Sequence, residues 1–340
     1  MGRTITVAVT DYVEPDLSWE EERLAPWGVR LQAHQLKFAP PEELVSKIRD
    51  ADAVVVNMAR MDEEVIGGLR RCRLIIRHGV GYDNVDVAAA TRKGIMVSYV
   101  PDYCLEEVAE HTIALMMACV RKLFQGRKVL EDSARRGSWD FKPLVPAFRL
   151  MGKTVGIVGC GRIGSRVLGR LSGFGVRILV CDPYLPEERR RELGVPFVDL
   201  EALLSESDVV TLHVPLNSET YHMISEPQLR TMKPTAYLVN TSRGPVVDTK
   251  ALVRALKEGW IAGAGIDVYE KEPPDPEEEL MSLPNATLSP HLAWYSEESA
   301  WDIRVKIVED IRRFCEGKPP RFLINPEVFC LLYTSPSPRD

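Results

Sequence analysis

Several polar side chains capable of chemistry follow short apolar runs in the second half of the chain. The side chains at the ends of these runs are Asp182, His213, Thr241, Arg243, Asp267 and His291. In an open parallel sheet, ligands bind outside the carboxyl ends of the strands. Core packing does not explain a series of polar residues at such positions, so the pattern indicates the ligand-binding edge of a sheet.

A glycine-rich turn, GCGRIG at residues 159–164, is the strongest single motif in the sequence. It follows the apolar run TVGIV and precedes a helical pattern. Glycines in this context allow a tight turn and close backbone approach, and the helix N-terminus can face a pyrophosphate. The next strand ends in Asp182, whose carboxylate can accept hydrogen bonds from an adenosine ribose and would repel a 2′-phosphate. The sequence therefore predicts dinucleotide binding and favours NAD over NADP.

Three further residues could act on a small acid. Arg243 precedes a glycine, and its planar guanidinium can hold a carboxylate through two hydrogen bonds, although a surface salt bridge is the alternative. His291 follows a proline and could move a proton, whereas a lone histidine is more often structural. Glu272 could orient that histidine and support its charged form, or it could be a solvated acid in an acidic loop.

The composition excludes several classes of protein. Lys and Arg number 43 against 49 Asp and Glu, a formal net charge of −6, so no broad basic field is available for nucleic acid or an anionic membrane. No apolar stretch reaches the ~18 residues that a membrane helix needs. The 7 cysteines form no CxxC pair and the 6 histidines form no HxxxH or HxH pair, so we expect reduced thiols, a cytoplasmic location and no metal site.

Two series of strands must position these residues. The first series of apolar runs is 4–10, 53–57, 74–77 and 95–98. The second series is 154–158, 176–181, 208–214, 236–240, 261–266 and 286–288. Both series alternate with helical patterns, which predicts parallel α/β units.

Between and after these series, the sequence predicts two long helices. One begins after Asp102 and runs to Leu123, and its Thr112 could face a nicotinamide or simply form part of the helix surface. A loop-like stretch follows at 126–149. The second helix is capped by Ser296 and stopped at Gly317. The Ser/Pro-rich end, 330–340, has no periodicity, and we interpret it as a disordered or extraneous tail.

Together these motifs resemble the D-isomer-specific 2-hydroxyacid dehydrogenases. The resemblance rests on GCGRIG with the following aspartate, NTSRG, DVYEKEP and SPHLAW, with RHGVGYDNVD in the first part, and runs from about residue 4 to 325. It implies an α/β fold of two Rossmann-like or flavodoxin-like doubly wound parallel-sheet domains with a cleft between them. A discontinuous substrate domain, 1–101 plus 295–329, would join an NAD-binding Rossmann domain, 102–294, and closure of the two would exclude water.

The resemblance also implies a role for each candidate. Arg243 would bind the substrate carboxylate and keto oxygen, His291 would supply or remove the hydroxyl proton, and Glu272 would hydrogen-bond the imidazole. Asp267 would accept from the nicotinamide carboxamide. Substrate contacts are expected from Gly79, Val80, Gly81, Arg243, His291 and Trp294. NAD contacts are expected from Gly159, Cys160, Gly161, Arg162, Ile163, Gly164, Asp182, Pro183, His213, Val214, Pro215, Thr220, Thr241, Ser242, Arg243, Asp267 and His291.

Two branches of the family fit the sequence. HLAWYSE, starting at His291, resembles the C-terminal-binding protein corepressors, although Val80 stands where that branch has a serine and Trp294 could equally pack between domains. The rest of the chain is equally similar to short-form D-3-phosphoglycerate dehydrogenases. By analogy with the family we expect a homodimer in which the segment 126–149 reaches across to the partner.

We therefore predict an NAD-dependent oxidoreductase acting on a small D-2-hydroxy acid or 2-keto acid such as phosphoglycerate, glyoxylate or hydroxypyruvate. One alternative is an NAD(H)-sensing, corepressor-like dimer with weak dehydrogenase activity. The same scaffold could also support phosphite or formate dehydrogenase activity.

Overall fold

The computed structural model describes residues 4–330, which form two compact units. The first unit combines residues 4–103 with 296–330, and the second unit comprises residues 104–295. The tail predicted at 330–340 lies outside the described residues except for Cys330. The assignment of the units as substrate and cofactor domains stays a prediction at this point.

The first unit is built on a five-stranded parallel sheet in the order β2-β1-β3-β4-β5. Its strands are β1 (Ile5–Val9), β2 (Val29–Ala33), β3 (Ala53–Val56), β4 (Leu74–Arg77) and β5 (Met96–Ser98). Its first helices are α1 (Ser18–Leu24), α2 (Pro41–Ile48), α3 (Glu63–Gly68) and α4 (Val87–Arg92). This strand order is that of flavodoxin-like doubly wound sheets. All residues of β3 and β4 are buried, as expected for central strands that are covered on both faces, and the charged Arg77 at the end of β4 is among them.

The strand β2 was absent from the predicted series. It lies at the edge of the sheet, where it pairs with β1 alone, and every one of its residues is exposed or only partly buried. An edge strand needs no continuous apolar run, and Arg30 and Gln32 interrupt the pattern that marked the other strands. The prediction of four strands in this unit was therefore one strand short.

The second unit contains a six-stranded parallel sheet in the order β11-β10-β9-β8-β6-β7. Its strands are β6 (Thr154–Val158), β7 (Arg177–Cys181), β8 (Val209–Leu212), β9 (Tyr237–Asn240), β10 (Gly263–Ile266) and β11 (Ala286–Leu288). Its helices are α5 (Leu105–Val120), α6 (Leu123–Arg135), α7 (Arg162–Leu171), α8 (Glu187–Leu193), α9 (Leu200–Glu206), α10 (Glu226–Thr231) and α11 (Thr249–Glu258).

A reversal of strand order places the ligand-binding edge of this sheet. The chain runs outward from β6 to β7, where Phe197 adds a parallel bridge to Val180, and then crosses back to β8 on the other side of β6. Such a reversal opens a crevice at the carboxyl ends of β6 and β8. The glycine-rich turn after β6 and His213 after β8 therefore stand at the point where dinucleotides bind in this fold.

The segment predicted as loop-like, 126–149, was partly wrong because α6 occupies residues 123–135. Lys122 adopts a left-handed backbone with a φ of 52°, which ends the preceding helix and starts α6 in a new direction. The long helix predicted to run to Leu123 therefore stops at Val120. Most of α6 is exposed, so it has no buried stripe of the kind that marks a core helix.

The chain returns to the first unit through α12 (Glu297–Cys315). Ser296 caps this helix as predicted, since its hydroxyl accepts from the backbone N–H of Ser299 at 2.9 Å. Asn325 then fastens the following segment to β5, because its side chain accepts from the backbone N–H of Val97 at 2.8 Å. Within residues 4–330, no helix combines the length and the apolar character required to cross a membrane.

Candidate active site

The glycine-rich turn joins β6 to α7, and its three glycines have three different surroundings. Gly159 has a φ of 85°, and a Cβ there would lie 2.7 Å from the carbonyl oxygen of His213. A Cβ on Gly164 would overlap the carbonyl group of Gly159, so this glycine lets α7 pack on the turn. A Cβ on Gly161 would meet no atom within 4 Å. Gly159 and Gly164 are thus required by the fold, whereas Gly161 leaves space for a ligand.

This arrangement fits a dinucleotide. Gly161 is the N-cap of α7, which continues through Arg162 and Ile163 for 10 residues, and Cys160 is buried behind the turn. The first backbone N–H groups of a helix have no partner within it and form a site for an anion. A pyrophosphate bound next to Gly161 would accept hydrogen bonds from these groups.

Asp182 follows β7 directly and is tied to the glycine-rich turn. Its carboxylate accepts hydrogen bonds from the backbone N–H of Cys160 at 2.8 Å and of Tyr184 at 3.1 Å. The side chain is partly exposed, and Pro183 beside it is also accessible to solvent. Because a carboxylate has about four acceptor positions, Asp182 retains the capacity to bind the hydroxyls of a ribose.

We expect Gly161→Ala to weaken NADH binding by about 10- to 100-fold, because a methyl group there occupies the space before the helix N-terminus at a cost of about 1–3 kcal/mol. Gly169→Ala is the matched control, since it lies on α7 and its Cβ also meets nothing within 4 Å. Fluorescence titration with NADH measures both. Equal NADH affinity in the two variants would contradict the placement of the pyrophosphate.

His213, Val214, Pro215 and Thr220 form the loop on the other side of the crevice. His213 is partly buried, and its ring nitrogen Nε2 lies 3.0 Å from the hydroxyl of Thr211. Burial lowers the pKa of His213 to about 3, so the ring is neutral and carries no charge to attract phosphate. Thr220 closes the loop by donating to the carbonyl of Pro215 at 2.6 Å. Whether this loop lines an adenosine pocket stays a prediction.

Arg243 follows β9 on a turn that hydrogen bonds hold in place. The side chain of Asn240 donates to the carbonyl of Arg243 at 2.8 Å and accepts from the hydroxyl of Ser242 at the same distance. Arg243 itself donates through Nη1 to the carbonyl of Ser242 at 2.9 Å. A Cβ on Gly244 would overlap the backbone of Tyr269, which explains why a glycine follows the arginine.

His291 and Glu272 form a hydrogen-bonded pair. The imidazole Nδ1 lies 2.7 Å from the carboxylate Oε2, and the other carboxylate oxygen accepts from the backbone N–H of Tyr269 at 3.1 Å. Burial acts to raise the pKa of Glu272, but the hydrogen bond and charge of His291, the backbone N–H and the charge of Arg243 together lower it. The structure therefore brings the imidazole and the acid together, and the guanidinium is near enough to act on the acid.

The loop that carries His291 is held by Asp267. The Asp267 carboxylate is fully buried and accepts from the backbone N–H groups of Leu292 and Ala293, each at 2.9 Å, and from the hydroxyl of Ser289 at 2.5 Å. Burial acts to raise its pKa, but these hydrogen bonds and one from His111 outweigh it and lower the pKa to about 2. The carboxylate has no exposed surface in this conformation, and its contact with a nicotinamide carboxamide stays a prediction.

The remaining predicted substrate contacts are Gly79, Val80, Gly81 and Trp294. The three loop residues follow β4 in the first unit, where Gly79 has a φ of 153° and its carbonyl accepts from the backbone N–H of Val100 at 3.0 Å. Trp294 belongs to the second unit and packs edge-on against Tyr295 with ring centroids 5.3 Å apart. The structure does not test the predicted roles of these four residues.

Sequence reasoning missed Ser289 and Tyr269 and left the helix residues His111 and Thr112 unassigned. Thr112 is buried and lies 2.8 Å from Thr241, oxygen to oxygen, so it supports the turn before Arg243. Tyr269 donates its hydroxyl to the carbonyl of Ser289 at 2.9 Å. Ser289 directly follows β11, so the strand-end rule that found the other residues could have found it as well. No sequence signal connects α5 with these loops, because their contact is tertiary.

Within residues 4–330, no three His, Cys, Asp or Glu side chains come together in a group that could hold a metal ion. The site thus consists of a glycine-rich turn with a helix N-terminus, a carboxylate beyond the neighbouring strand, a guanidinium and an imidazole–carboxylate pair. This set can bind a dinucleotide and an anion and can move one proton.

Comparisons with known proteins place the chain in a family. Residues 113–293 match the family described as "D-isomer specific 2-hydroxyacid dehydrogenase, NAD binding domain". A glyoxylate reductase of Korarchaeum cryptofilum is 45% identical over 293 residues, which cover 85% of this chain and 88% of that protein. The chain belongs to the D-isomer-specific 2-hydroxyacid dehydrogenases. A glyoxylate reductase of Pyrococcus furiosus is 42% identical over 317 residues, covering 91% of this chain and 89% of that protein.

Solved structures of D-2-hydroxyacid dehydrogenases share the fold. D-lactate dehydrogenase from Aquifex aeolicus, complexed with NAD and lactic acid, has a TM-score of 0.81 at 33% identity and covers 92% of this chain and 96% of its own. An NADPH-dependent glyoxylate/hydroxypyruvate reductase from Sinorhizobium meliloti, complexed with NADP and malonate, has a TM-score of 0.83 at 30% identity. The match covers 95% of this chain and 97% of that one.

These comparisons confirm the predicted family, the α/β fold of doubly wound parallel sheets and a nicotinamide dinucleotide as the cofactor. They also confirm that the protein is an oxidoreductase of the D-2-hydroxyacid dehydrogenase class. They do not favour the corepressor-like sensor, and the specific likeness to phosphoglycerate dehydrogenases is not confirmed, since glyoxylate reductases are among the similar proteins.

Proposed function

We propose that this D-2-hydroxyacid dehydrogenase reduces small 2-keto acids, glyoxylate and hydroxypyruvate in preference to phosphohydroxypyruvate, with NADH as the reductant. The observation that carries the proposal is the His291–Glu272 pair, 2.7 Å apart, in the same unit as the glycine-rich turn and Arg243. The names of the glyoxylate reductase relatives support the substrate class. Bound NADH would supply a hydride to the carbonyl carbon of the substrate.

Arg243 would hold the substrate. Its guanidinium presents parallel N–H donors, which suit a carboxylate and an adjacent keto oxygen. A positive charge at the keto oxygen stabilises the negative charge that develops there as the hydride arrives. The hydrogen-bonded turn around Asn240 fixes the direction in which the arginine leaves the sheet. Arg243 would thus bind and polarise the same small anion.

His291 would donate the proton that completes the reduction. The keto oxygen gains one proton from the imidazole while the carbonyl carbon gains one hydride, so the product is the 2-hydroxy acid and the imidazole is left neutral. Glu272 would keep Nδ1 engaged at 2.7 Å, so that the other ring nitrogen, Nε2, faces the substrate. Gly79, Val80, Gly81 and Trp294 would add substrate contacts from the sequence resemblance.

We expect Glu272→Gln to move the loss of keto-acid reduction to lower pH. The lowered pKa of Glu272 means that the carboxylate is ionised at neutral pH, and its charge favours the protonated imidazole that reduction requires. The neutral amide removes that charge, so the protonated donor is favoured less and activity is lost at lower pH. Profiles of kcat/KM against pH for the wild type and variant measure the shift.

Glu270→Gln is the matched control, because Glu270 pairs with His222 at 2.9 Å outside the proposed site. We expect its profile to overlay that of the wild type. An unmoved profile in Glu272→Gln would remove Glu272 from the proposed role.

The proposed preference for NADH rests on Asp182. Asp182→Asn keeps an acceptor for the backbone N–H of Cys160 but removes the charge that would repel a 2′-phosphate. We expect the ratio of kcat/KM with NADH to that with NADPH to fall by about 10- to 100-fold, equivalent to about 1–3 kcal/mol. A wild type with a higher kcat/KM for NADPH than for NADH would overturn the preference, and the Sinorhizobium meliloti enzyme is described as NADPH-dependent.

We also propose a homodimer. The segment predicted to reach across to the partner, 126–149, exposes large apolar side chains, and Trp139 is 87% exposed. The other exposed large apolar residues of this segment are Leu130, Phe141, Val145 and Phe148. Apolar groups concentrated in one segment are typical of a surface that a second copy covers. Sedimentation equilibrium showing a monomer at micromolar concentration would contradict this proposal.

We further propose a cytoplasmic location. The support is the spacing of the 7 cysteines in the sequence, which include no CxxC pair and do not form the pattern of a disulfide framework. Cell fractionation followed by immunodetection tests it, and recovery of the protein outside the cytoplasmic fraction would overturn it.

The proposed activity is tested by following NADH oxidation with a panel of 2-keto acids: glyoxylate, hydroxypyruvate, pyruvate and phosphohydroxypyruvate. We expect the highest kcat/KM with glyoxylate or hydroxypyruvate. Negligible turnover on every acid with tight NADH binding would instead support the sensor function. Reduction of NAD by formate or phosphite, measured in parallel, would support formate or phosphite dehydrogenase activity.

A further inference from the structure

We propose that His111, on α5, is a positioning residue for the reaction: through Ser289 and Asp267 it holds the loop that presents His291. This inference rests on the proposed function because it takes His291 to be the proton donor of that reaction. The hydrogen bonds that hold the His291 loop all lie within the second unit.

The loop needs a restraint because His291 has an unfavourable backbone. Its φ is 53°, in the left-handed region that non-glycine residues rarely adopt and that costs about 1–2 kcal/mol. The backbone N–H of His291 donates to the carbonyl of Asp267 at 2.8 Å. The Asp267 carboxylate binds the next two N–H groups, those of Leu292 and Ala293. Asp267 therefore stabilises the left-handed turn through both its backbone carbonyl and its side-chain carboxylate.

The direction of the hydrogen bonds assigns a proton to His111. Asp267 is fully buried and, as an ionised carboxylate, can only accept, so the hydroxyl of Ser289 must donate its single proton to it at 2.5 Å. The same oxygen of Ser289 lies 2.9 Å from Nε2 of His111. Since the Ser289 proton is already used, His111 must be the donor, with the proton on Nε2. Nε2 also lies 3.5 Å from the carboxylate Oδ1 of Asp267.

The adjacent residue of α5 supports the other functional loop. The Thr112 hydroxyl donates to the carbonyl of Val108 at 2.7 Å, so the contact with the Thr241 hydroxyl at 2.8 Å has Thr241 as its donor. Thr241 precedes Ser242 and Arg243. One turn of α5 thus touches the loop of His291 and the loop of Arg243, and it fixes the position of each with respect to the same helix.

The kinetic test compares His111→Leu, which removes the donor, with His111→Gln, whose amide N–H reaches about as far as Nε2. We expect His111→Leu to lower kcat for glyoxylate by about 10- to 100-fold, the effect of a small displacement of a proton donor. KM and the Kd for NADH should stay within about threefold, and His111→Gln should recover most of the activity. Equal kcat in His111→Leu and wild type, or equal loss in both variants, would overturn the proposal.

A double-mutant cycle distinguishes an effect that acts through Ser289 from a general loss of structure. In Ser289→Ala the bridging hydroxyl is gone, so adding His111→Leu should have little further effect on kcat. Additive losses would show that His111 acts by another route, and would overturn the proposal. Urea unfolding of each variant verifies that all four proteins are folded under assay conditions.

Nitrogen-15 NMR of histidine-labelled protein provides a readout that needs no turnover. We expect His111 to show a protonated Nε2, and the Nδ1 signal of His291 to change in His111→Leu as its contact with Glu272 loosens. Signals are assigned by the single His111→Gln and His291→Asn variants. An unprotonated Nε2 on His111 overturns the proposal. If the wild type reduces no keto acid but these signals are as expected, the proposed function fails and the positioning inference stands.

Discussion

Replacing Arg243 by lysine should lower kcat/KM for glyoxylate reduction by about two to three orders of magnitude, or about 3–4 kcal/mol. Lysine keeps the positive charge but presents a single ammonium group, so the paired hydrogen bonds to the carboxylate and keto oxygen are lost. The loss is expected in both KM and kcat, because the guanidinium binds the ground state and the developing negative charge. Steady-state kinetics with NADH at saturation separates the two parameters.

Arg254→Lys is the matched control. Arg254 lies on α11, is half exposed and donates to Glu226 at 2.8 Å on the surface of the same unit. Surface ion pairs contribute about 0–1 kcal/mol, so this variant should have wild-type kinetics. Full turnover by Arg243→Lys would contradict the role of Arg243 as the substrate anchor.

Replacing His291 by asparagine should lower kcat by about 10²- to 10⁴-fold, the usual contribution of a general acid. Asparagine is chosen because it tolerates a left-handed backbone better than other residues, and His291 has a φ of 53°. The loop should therefore keep its conformation, and NADH affinity should change little. The residual activity should also lose the pH dependence that Glu272→Gln shifts, since the proton donor is gone.

His222→Asn provides an unusually close control for this experiment. His222 also has a left-handed backbone, with a φ of 52°, and its Nε2 lies 2.9 Å from the carboxylate of Glu270. The same substitution in the same backbone conformation should leave kcat and the pH profile unchanged. A comparable loss of activity in both variants would show that the effect of His291→Asn is not specific to proton transfer.

The strands of the second unit were predicted more completely than those of the first because two features of the sequence mark most of them. Each is a buried apolar run, and most of them end in a polar residue with a chemical reason to be there, such as Asp182 or Arg243. β2 has neither signal, since it lies at the edge and is only partly buried. The helix α6 was missed for a related reason, because its apolar side chains are exposed and form no core-facing stripe.

Some contacts of the candidate site could be predicted from the sequence and others could not. Glu272 and His291 are 19 residues apart in sequence and were paired by resemblance, and the structure places them 2.7 Å apart. His111 could not be found in this way, since its contact with Ser289 spans 178 residues and joins a helix to a loop of a different motif. The hydrogen bonds that Asp267 makes to the loop likewise depend on the left-handed backbone of His291, which no local sequence pattern predicts.

The central claim is that the chain passes a hydride from NADH to C2 of a small 2-keto acid while His291 supplies the proton. Reduction of hydroxypyruvate with NADH deuterated at C4 of the nicotinamide, followed by mass spectrometry and chiral chromatography of the product, tests it most directly. We predict a D-2-hydroxy acid with one deuterium at C2 for NADH labelled on the transferred face, and no deuterium for NADH labelled on the opposite face. A product without deuterium from either label, or one of L configuration, would contradict the account.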